Sequence, residues 1–314
     1  MVNQKYCPEG ALMSTRENME ALATPASVER AMREGRILEA PAVMCDADLS
    51  VTVDLGCMRG VLPKEEVVLC GAGESVKDIA VITRVGKPVC FRIVNIERDL
   101  YGQPVAYLSR RAAQEECTRE YLSRLNAGDV VDARVTHLEH FGAFVDIGCG
   151  IVSLLSIDCI SVSRITHPRD RFRVGDSLKC VIKSIDPDSG RIYVTHKELL
   201  GTWEENASRF CIGQTVAGIV RSVEDYGIFV ELTPNLAGLA EYKEGITVGQ
   251  NAAVYIKNMV KERMKVKLVL IDSGPGVGAP DPFTYYLPEG GHLDHWRYSP
   301  ERCEKMVESF FDAS

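Results

Sequence analysis

Apolar and polar residues alternate along several short stretches of the chain, and the clearest set lies between positions 130 and 196. Val130–Leu138 alternates with period two, the signature of a strand with one buried face. Ala143–Ile147 and Ile151–Leu155 predict two more strands, separated by the turn Gly148-Cys149-Gly150. Ser177–Ile185 and Arg191–His196 complete five, joined across the turn formers Asp186-Pro187-Asp188-Ser189-Gly190. Five short strands with one long loop before the fourth suit a small closed barrel of the OB type.

The pattern recurs. Phe141-Gly142-Ala143-Phe144 aligns with Tyr226-Gly227-Ile228-Phe229 at an offset of 85, and Gly175 aligns with Gly249. Arg191 and Lys265 each follow their glycine by 16 residues, while the middle loop of the later copy is shorter by eleven. A weaker copy lies upstream. Gly35-Arg36-Ile37-Leu38 opens it, Val53-Asp54-Leu55-Gly56 mirrors Val145-Asp146-Ile147-Gly148, and Val85-Gly86-Lys87 mirrors Val174-Gly175-Asp176. Self-similarity of this kind means tandem copies of one structural unit.

Between the copies the period changes. Arg110–Leu125 and Glu198–Phe210 have helical spacing and few β-branched residues, which predicts two linker helices, and Ser27–Glu34 predicts another ahead of the first barrel. The expected fold is mainly β: three tandem five-stranded OB-type barrels with linker helices and a small C-terminal α/irregular segment. The expected division is an N-terminal helical segment (1–34), a degenerate first repeat (35–111), a linker helix (112–127), a second repeat (128–198), a second linker helix (199–212), a third repeat (213–272) and an acidic, aromatic-rich tail (273–314). In that tail, after the glycine-rich Gly274–Ala279, Pro300–Phe311 reads as a short helix begun at Ser299 and packed back on the barrels. An exposed aromatic patch for a protein partner is the alternative reading of the same segment.

Composition narrows the class without naming a function. Hydrophobic residues make up 46% and charged residues 25%, which excludes a wholly disordered chain. No apolar run approaches the ~18 residues a membrane span requires, and Met1–Glu20 lacks the basic start and apolar core of a secretion signal. The eleven cysteines are dispersed, without a C-x-x-C pair, and read as reduced thiols. A cytoplasmic protein with no membrane partner is expected. The net charge of −8 argues at first against a nucleic-acid partner, but the charge is uneven. Residues 127–200 hold 9 basic and 10 acidic side chains and residues 213–272 hold 7 of each, while residues 273–314 carry 3 against 7. Near-neutral barrels leave room for a local basic groove.

Phe141 and Phe144 flank a glycine and admit two readings, as core residues or as outward rings that stack unpaired bases. Strict alternation would put residues three apart on opposite faces, so a kink at Gly142 is needed for both to face out. Basic residues tilt the balance. Lys179 and Lys183 alternate along the fourth strand of the middle copy and Arg191 begins its fifth; Lys257, Lys261, Arg263, Lys265 and Lys267 crowd the equivalent hairpin of the third. Alternation puts Arg263, Lys265 and Lys267 on one face, with Arg263 nearest the turn, and Lys265 alone aligns with Arg191. A solvated edge hairpin is the plainer reading of that run.

The order F-G-A-F-V-D-I-G, S-L-L-S-I, R-I-T-H-P, V-G-D and I-D-x-x-x-G-R-I-x-V-T-x-K closely resembles the RNA-binding repeat of the bacterial ribosomal protein S-one family, over about residues 30–272. The resemblance implies a nucleic-acid face made by Phe141, Phe144, Asp186 and Arg191, with Ser156 where the family has a histidine. In the third copy it implies Tyr226, Phe229 and Lys265, with Glu241 in the histidine position. In the first copy Leu49 and Thr52 stand where the aromatics should be and Val105 where the arginine should be; leading repeats of that family serve ribosome attachment. His140, beside Phe141, and the strand lysines Lys179, Lys183 and Lys257 join the expected RNA-binding set.

The expected activity is therefore non-enzymatic binding of single-stranded RNA, in translation, with the small ribosomal subunit as a partner through the first repeat. The alternative is a protein-interaction adaptor for ribosome docking or RNA degradation. No catalytic residues, cofactor or metal are expected, since no G-x-S-x-G, Walker loop or H-E-x-x-H occurs. His292-x-x-His295 with Cys303 has the residue types for zinc but fits no closed four-ligand set.

Overall fold

The computed structural model describes residues 5–71, 73–275 and 283–311. Residues 276–279 of the expected glycine-rich segment, and Ala72 in the Gly71–Gly73 loop, lie outside the described residues. Three closed five-stranded barrels follow one another along the chain. The first is built from β1 (Leu38–Cys45), β2 (Val51–Asp54), β3 (Arg59–Leu62), β4 (Pro88–Arg98) and β5 (Pro104–Ser109), preceded by helices α1 (Arg16–Leu22) and α2 (Pro25–Arg33). A short α3 (Asp78–Ile82) occupies its long loop, and α4 (Arg110–Glu120) begins where β5 ends. The second holds β6 (Val130–Glu139), β7 (Gly142–Asp146), β8 (Val152–Ser156), β9 (Ser177–Ile185) and β10 (Ile192–Thr195). After α5 (Trp203–Ala207) come β11 (Thr215–Glu224), β12 (Gly227–Thr233), β13 (Leu236–Ala240), β14 (Asn251–Val260) and β15 (Lys265–Gly274). In each barrel the third and fifth strands run parallel and close the cylinder. Closure leaves no free sheet edge.

The chain divides into two compact units. The first comprises residues 1–125 with 132–134 and 146–152. Its barrel core is made by Leu38, Val51, Val53, Leu62, Phe91 and Leu108, all fully buried. Ser109 accepts a hydrogen bond from the Ala112 amide and so caps α4, which turns Ala113 and Cys117 inward. Beneath α4 lies a charged knot. The Glu9 carboxylate accepts from Arg110 Nε at 2.6 Å and Nη2 at 3.0 Å, and from the Cys90 amide at 3.0 Å. Burial would raise the Glu9 carboxyl, but Arg110 and Arg84 outweigh it and hold it below the usual carboxylate range. Asp146 accepts the Glu9 amide at 2.7 Å, and Glu39 accepts those of Gly10, Leu12 and Met13. Burial pushes both of these carboxyls up to about 7.

The second unit comprises residues 126–131, 135–145 and 153–314. An apolar cluster within it includes Val181, Leu199, Trp203, Val220 and Ile228 together with Trp296, Tyr298 and Phe311 of the tail. Two arginines converge on the buried Glu231: Arg171 donates to Oε1 at 2.8 Å and also to Oε2, and Arg221 donates to the same oxygens at 3.1 and 3.0 Å. Asn235, also buried, accepts from the Val162 amide and donates to the Lys197 and Gly201 carbonyls. His196 is wholly buried and its pKa falls to about 4, because burial disfavours the imidazolium. Its Nδ1–H donates to the Ile160 carbonyl, leaving Nε2 to accept from the Tyr285 hydroxyl.

Two expectations need correction. The linker expected as one helix over 198–210 is broken into a 3-10 turn at Lys197–Leu200 and the short α5. Gly201 separates them at φ +83, where a Cβ would stand 2.8 Å from the Tyr286 ring. The helix expected at Pro300–Phe311 is absent; β16 (His295–Arg297) pairs with β17 (Glu308–Phe310) instead. Ser299 caps no helix, since its hydroxyl accepts from the Val307 amide and donates to the Lys305 carbonyl. The extended ribbon buries Trp296 and Phe311, and that burial outweighs local helical spacing. The tail does pack back on the barrels, and Phe310, 62% exposed, stacks on His295.

Candidate nucleic-acid interface

Phe141 lies in the turn between β6 and β7 and is 55% exposed, while Phe144 is half-buried on β7. Their rings meet edge to face, 5.9 Å apart at 90°. The expected kink at Gly142 is not what brings them together. Phe141 precedes the strand, so alternation does not bind it. Gly142 serves close approach instead, since a Cβ there would lie 2.5 Å from the Leu155 carbonyl oxygen. The third barrel repeats the arrangement. Tyr226, 70% exposed, meets Phe229 at 6.2 Å and 88°, and a Cβ on Gly227 would lie 2.5 Å from the Ala240 carbonyl oxygen.

Strand register extends each pair into a strip across the barrel. In the third barrel Ser222 pairs with Phe229, Phe229 with Leu239, Leu239 with Lys267 and Lys267 with Asn258. Directly paired residues share a face, so these five side chains line up across all five strands. In the middle barrel Tyr193 pairs with both Leu154 and Ser184, and His137 stacks on Phe144 at 6.3 Å. Leu155 and Ala240 hold the same place under the two glycines, which puts Leu154 across from Phe144 as Leu239 is across from Phe229. The first barrel's strip reads Met44, Thr52, Val61, Tyr107, Asn95. In all three barrels a bulge in the fourth strand leaves one residue unpaired beside the strip: Val94, Lys183 and Lys257.

The structure therefore gathers most of the expected residues. Arg191 and Lys265 are exposed two residues before Tyr193 and Lys267; Lys265 lies on β15 and shares the face of Lys267, whereas Arg191 immediately precedes β10. Lys183 and Lys257 occupy equivalent bulges. Partial burial works against the Lys183 ammonium, but a hydrogen bond to Cys159 Sγ at 3.2 Å and the charge of Asp158 leave its pKa raised. Asp186 is engaged in the β9–β10 turn, where the Ser189 and Asp188 amides hold its carboxyl below the usual range. His140 is exposed and meets the buried His167 edge to face at 4.7 Å. Lys179 lies four residues along β9 from Lys183, where its amide donates to the Tyr285 hydroxyl of the tail. The first barrel differs: Thr52 and Val105 are buried, and register places Val105 level with Arg191 and Lys265. Tyr193 and His137 were missed by sequence reasoning. The alternation in Arg191-Ile192-Tyr193-Val194 was signal enough to find Tyr193.

Among the described residues no group of three His, Cys, Asp or Glu side chains could hold a metal ion. His292 instead pairs with Asp129 at 2.7 Å, which raises its pKa, and His295 pairs with Glu308 at 3.0 Å. No helix among the described residues is long and apolar enough to cross a membrane.

Residues 124–197 match the family model for the S1 RNA binding domain. The chain is 35% identical over 176 residues to the small ribosomal subunit protein bS1 of Leuconostoc lactis, covering 54% of this chain and 39% of that one. It is 28% identical over 240 residues to bS1 of Staphylococcus aureus strain COL, covering 75% and 58%. A solved multidomain protein with nucleic acid binding domains from Streptococcus pneumoniae TIGR4 is 17% identical, covering 81% of this chain and 76% of that one, with a TM-score of 0.24. The chain thus spans 39% and 58% of the length of these two bS1 relatives. The middle barrel, with Phe144 on its outward strip and Phe141 beside it, matches the S1 RNA binding domain, in a chain similar to the bacterial bS1 proteins.

Proposed function

We propose that this protein binds single-stranded RNA, without catalysis, through the outward strips of its middle and third barrels. The observation that carries the reading is the edge-to-face aromatic pair in each of those barrels, one ring exposed and the other half-buried, with basic residues at equivalent register. Stacked rings tolerate any base and basic side chains track the backbone, so sequence preference should be slight. Similarity to bS1 supports a role in translation in the cytoplasm, in association with the small ribosomal subunit. The first barrel supports a different role. Its strip carries Met44, Val61 and Tyr107 with Val94 beside it, and Leu100 and Tyr101 stand almost fully exposed on the next turn. That apolar face favours docking to a protein, which is also how an adaptor for ribosome docking or RNA degradation would use it.

The test is filter binding to oligouridylate at two salt concentrations. Replacing Phe141 and Phe144 with alanine should weaken binding by ~1–3 kcal/mol per stacked base while the melting transition survives. Arg191→Ala should flatten the log–log salt slope by roughly 0.7, one phosphate contact. An early melt with unchanged affinity per folded molecule would instead mark the rings as core.

A further inference from the structure

The strip is the same in geometry but not in chemistry from barrel to barrel. The fifth-strand residue within the strip, paired with the third strand's strip residue, is Tyr193 in the middle barrel, Lys267 in the third and Tyr107 in the first. In the middle barrel it completes a row with His137 and Phe144, so that three of the five strands contribute a ring. In the third barrel Ser222 replaces His137 and Lys267 replaces Tyr193, leaving Phe229 as the strip's only ring. The first barrel keeps Tyr107 but sets the buried Thr52 where the partner ring would be.

Two strand spacings separate Phe144 from Tyr193, about 9–10 Å, with half-buried Leu154 between them. A ring at that distance lies beyond the reach of a base held by Phe141 and Phe144, and it offers a surface to a neighbouring base. A lysine at the same place cannot stack, but it brings a unit charge to a phosphate. We propose that this one position decides how each barrel holds the strand: Tyr193 makes a further stacking contact in the middle barrel, and Lys267 makes a phosphate contact in the third. The proposal rests on the single-stranded RNA reading and deepens it. The ligand segment over the middle barrel must present consecutive unpaired bases, and the grip of the third barrel must fade faster with salt.

The test uses the full chain, single-stranded oligouridylate and equilibrium binding across a salt series. Tyr193→Ala should weaken binding roughly 5- to 150-fold at fixed salt, the equivalent of one lost stack. Tyr193→Phe, which keeps the ring, should recover most of the affinity lost in Tyr193→Ala. The exchange variants are more discriminating: Tyr193→Lys should steepen the log–log salt slope by roughly 0.7, and Lys267→Tyr should flatten it by as much. Because a slope is read from folded protein at every salt concentration, a modest loss of stability in Tyr193→Ala would not blur the result. Phe144→Ala runs beside them. If it weakens binding while the exchange variants leave both affinity and slope unmoved, the proposal is wrong and the RNA reading stands. If Phe144→Ala is also without effect, the RNA reading falls and takes the proposal with it.

Discussion

Glu39 accepts three backbone amides through Oε2, and such bonds ordinarily hold a carboxyl as its anion. Burial wins here, and Oε1 makes no hydrogen bond, so the group is pushed from an ordinary 4.5 to about 7. Folding therefore takes up a proton in that window. The stability Glu39 lends is complete below about pH 4.5 and is lost as pH rises through 7. Asp146 acts in the same sense from 3.8 to about 7, and the lowered Glu9 in the opposite sense, losing stability as pH falls. Glu39→Gln removes one such group, so the midpoint of thermal melting should vary less between pH 5 and 8. The gain at the upper end should be on the order of 3 kcal/mol, from a shift of about two and a half pH units. Identical profiles for the variant and the parent would show that Glu39 does not titrate there. None of this was legible in the sequence. Glu9 and Arg110 are 101 residues apart, and their pairing depends on how α4 is laid on the first barrel.

At the scale of elements, period-two alternation is a strong signal, and it found the five strands of the middle barrel. It is blind to bulges, because one extra residue leaves the alternation on either side intact. The bulges at Val94, Lys183 and Lys257 decide which residues share a strip, so Lys183 was found as a basic residue but not as the partner in register of Lys257. The tail misled for another reason. Its helical spacing between 300 and 311 is local, whereas its conformation is set by where Trp296 and Phe311 are buried. Gly142 shows the element-level constraint most directly. Its absent side chain lets β7 approach β8, and a methyl group there would meet backbone, which cannot move aside as a flexible side chain can. Gly142→Ala should destabilise the barrel by roughly 1–3 kcal/mol, the usual cost of overpacking. It should also weaken RNA binding, because Phe144 rides on the displaced strand. A melting curve and a binding isotherm on the same sample check both; unchanged stability would mean that the two strands are not held at this distance.

At the scale of the whole molecule, the proposed function gives separate work to parts that the sequence shows only as repeats and a tail. Residues 1–126 contain the one barrel that buries Thr52 on its strip, has buried Val105 where Arg191 and Lys265 stand, and sets Val94 in its bulge, and that fragment should have no measurable affinity for oligouridylate. The tail contributes in a different way. Trp296, Tyr298 and Phe311 belong to the same apolar cluster as Val220 and Ile228 of the third barrel, and the Tyr285 hydroxyl reaches buried His196. Among the described residues, no tail residue is paired into the outward strip of the middle or third barrel. Ending the chain at Asp272 exposes the surface these rings cover, at ~1.5–3 kcal/mol for each fully buried apolar side chain. The second unit should then melt many degrees lower, while affinity for oligouridylate per folded molecule, measured well below that transition, stays at the level of the full chain. Lys305→Ala, which removes a tail charge without touching the cluster, should alter neither quantity. Lost affinity with an unchanged melting transition would instead place the tail in contact with RNA, and the aromatic ribbon would then have to be counted as part of the binding site.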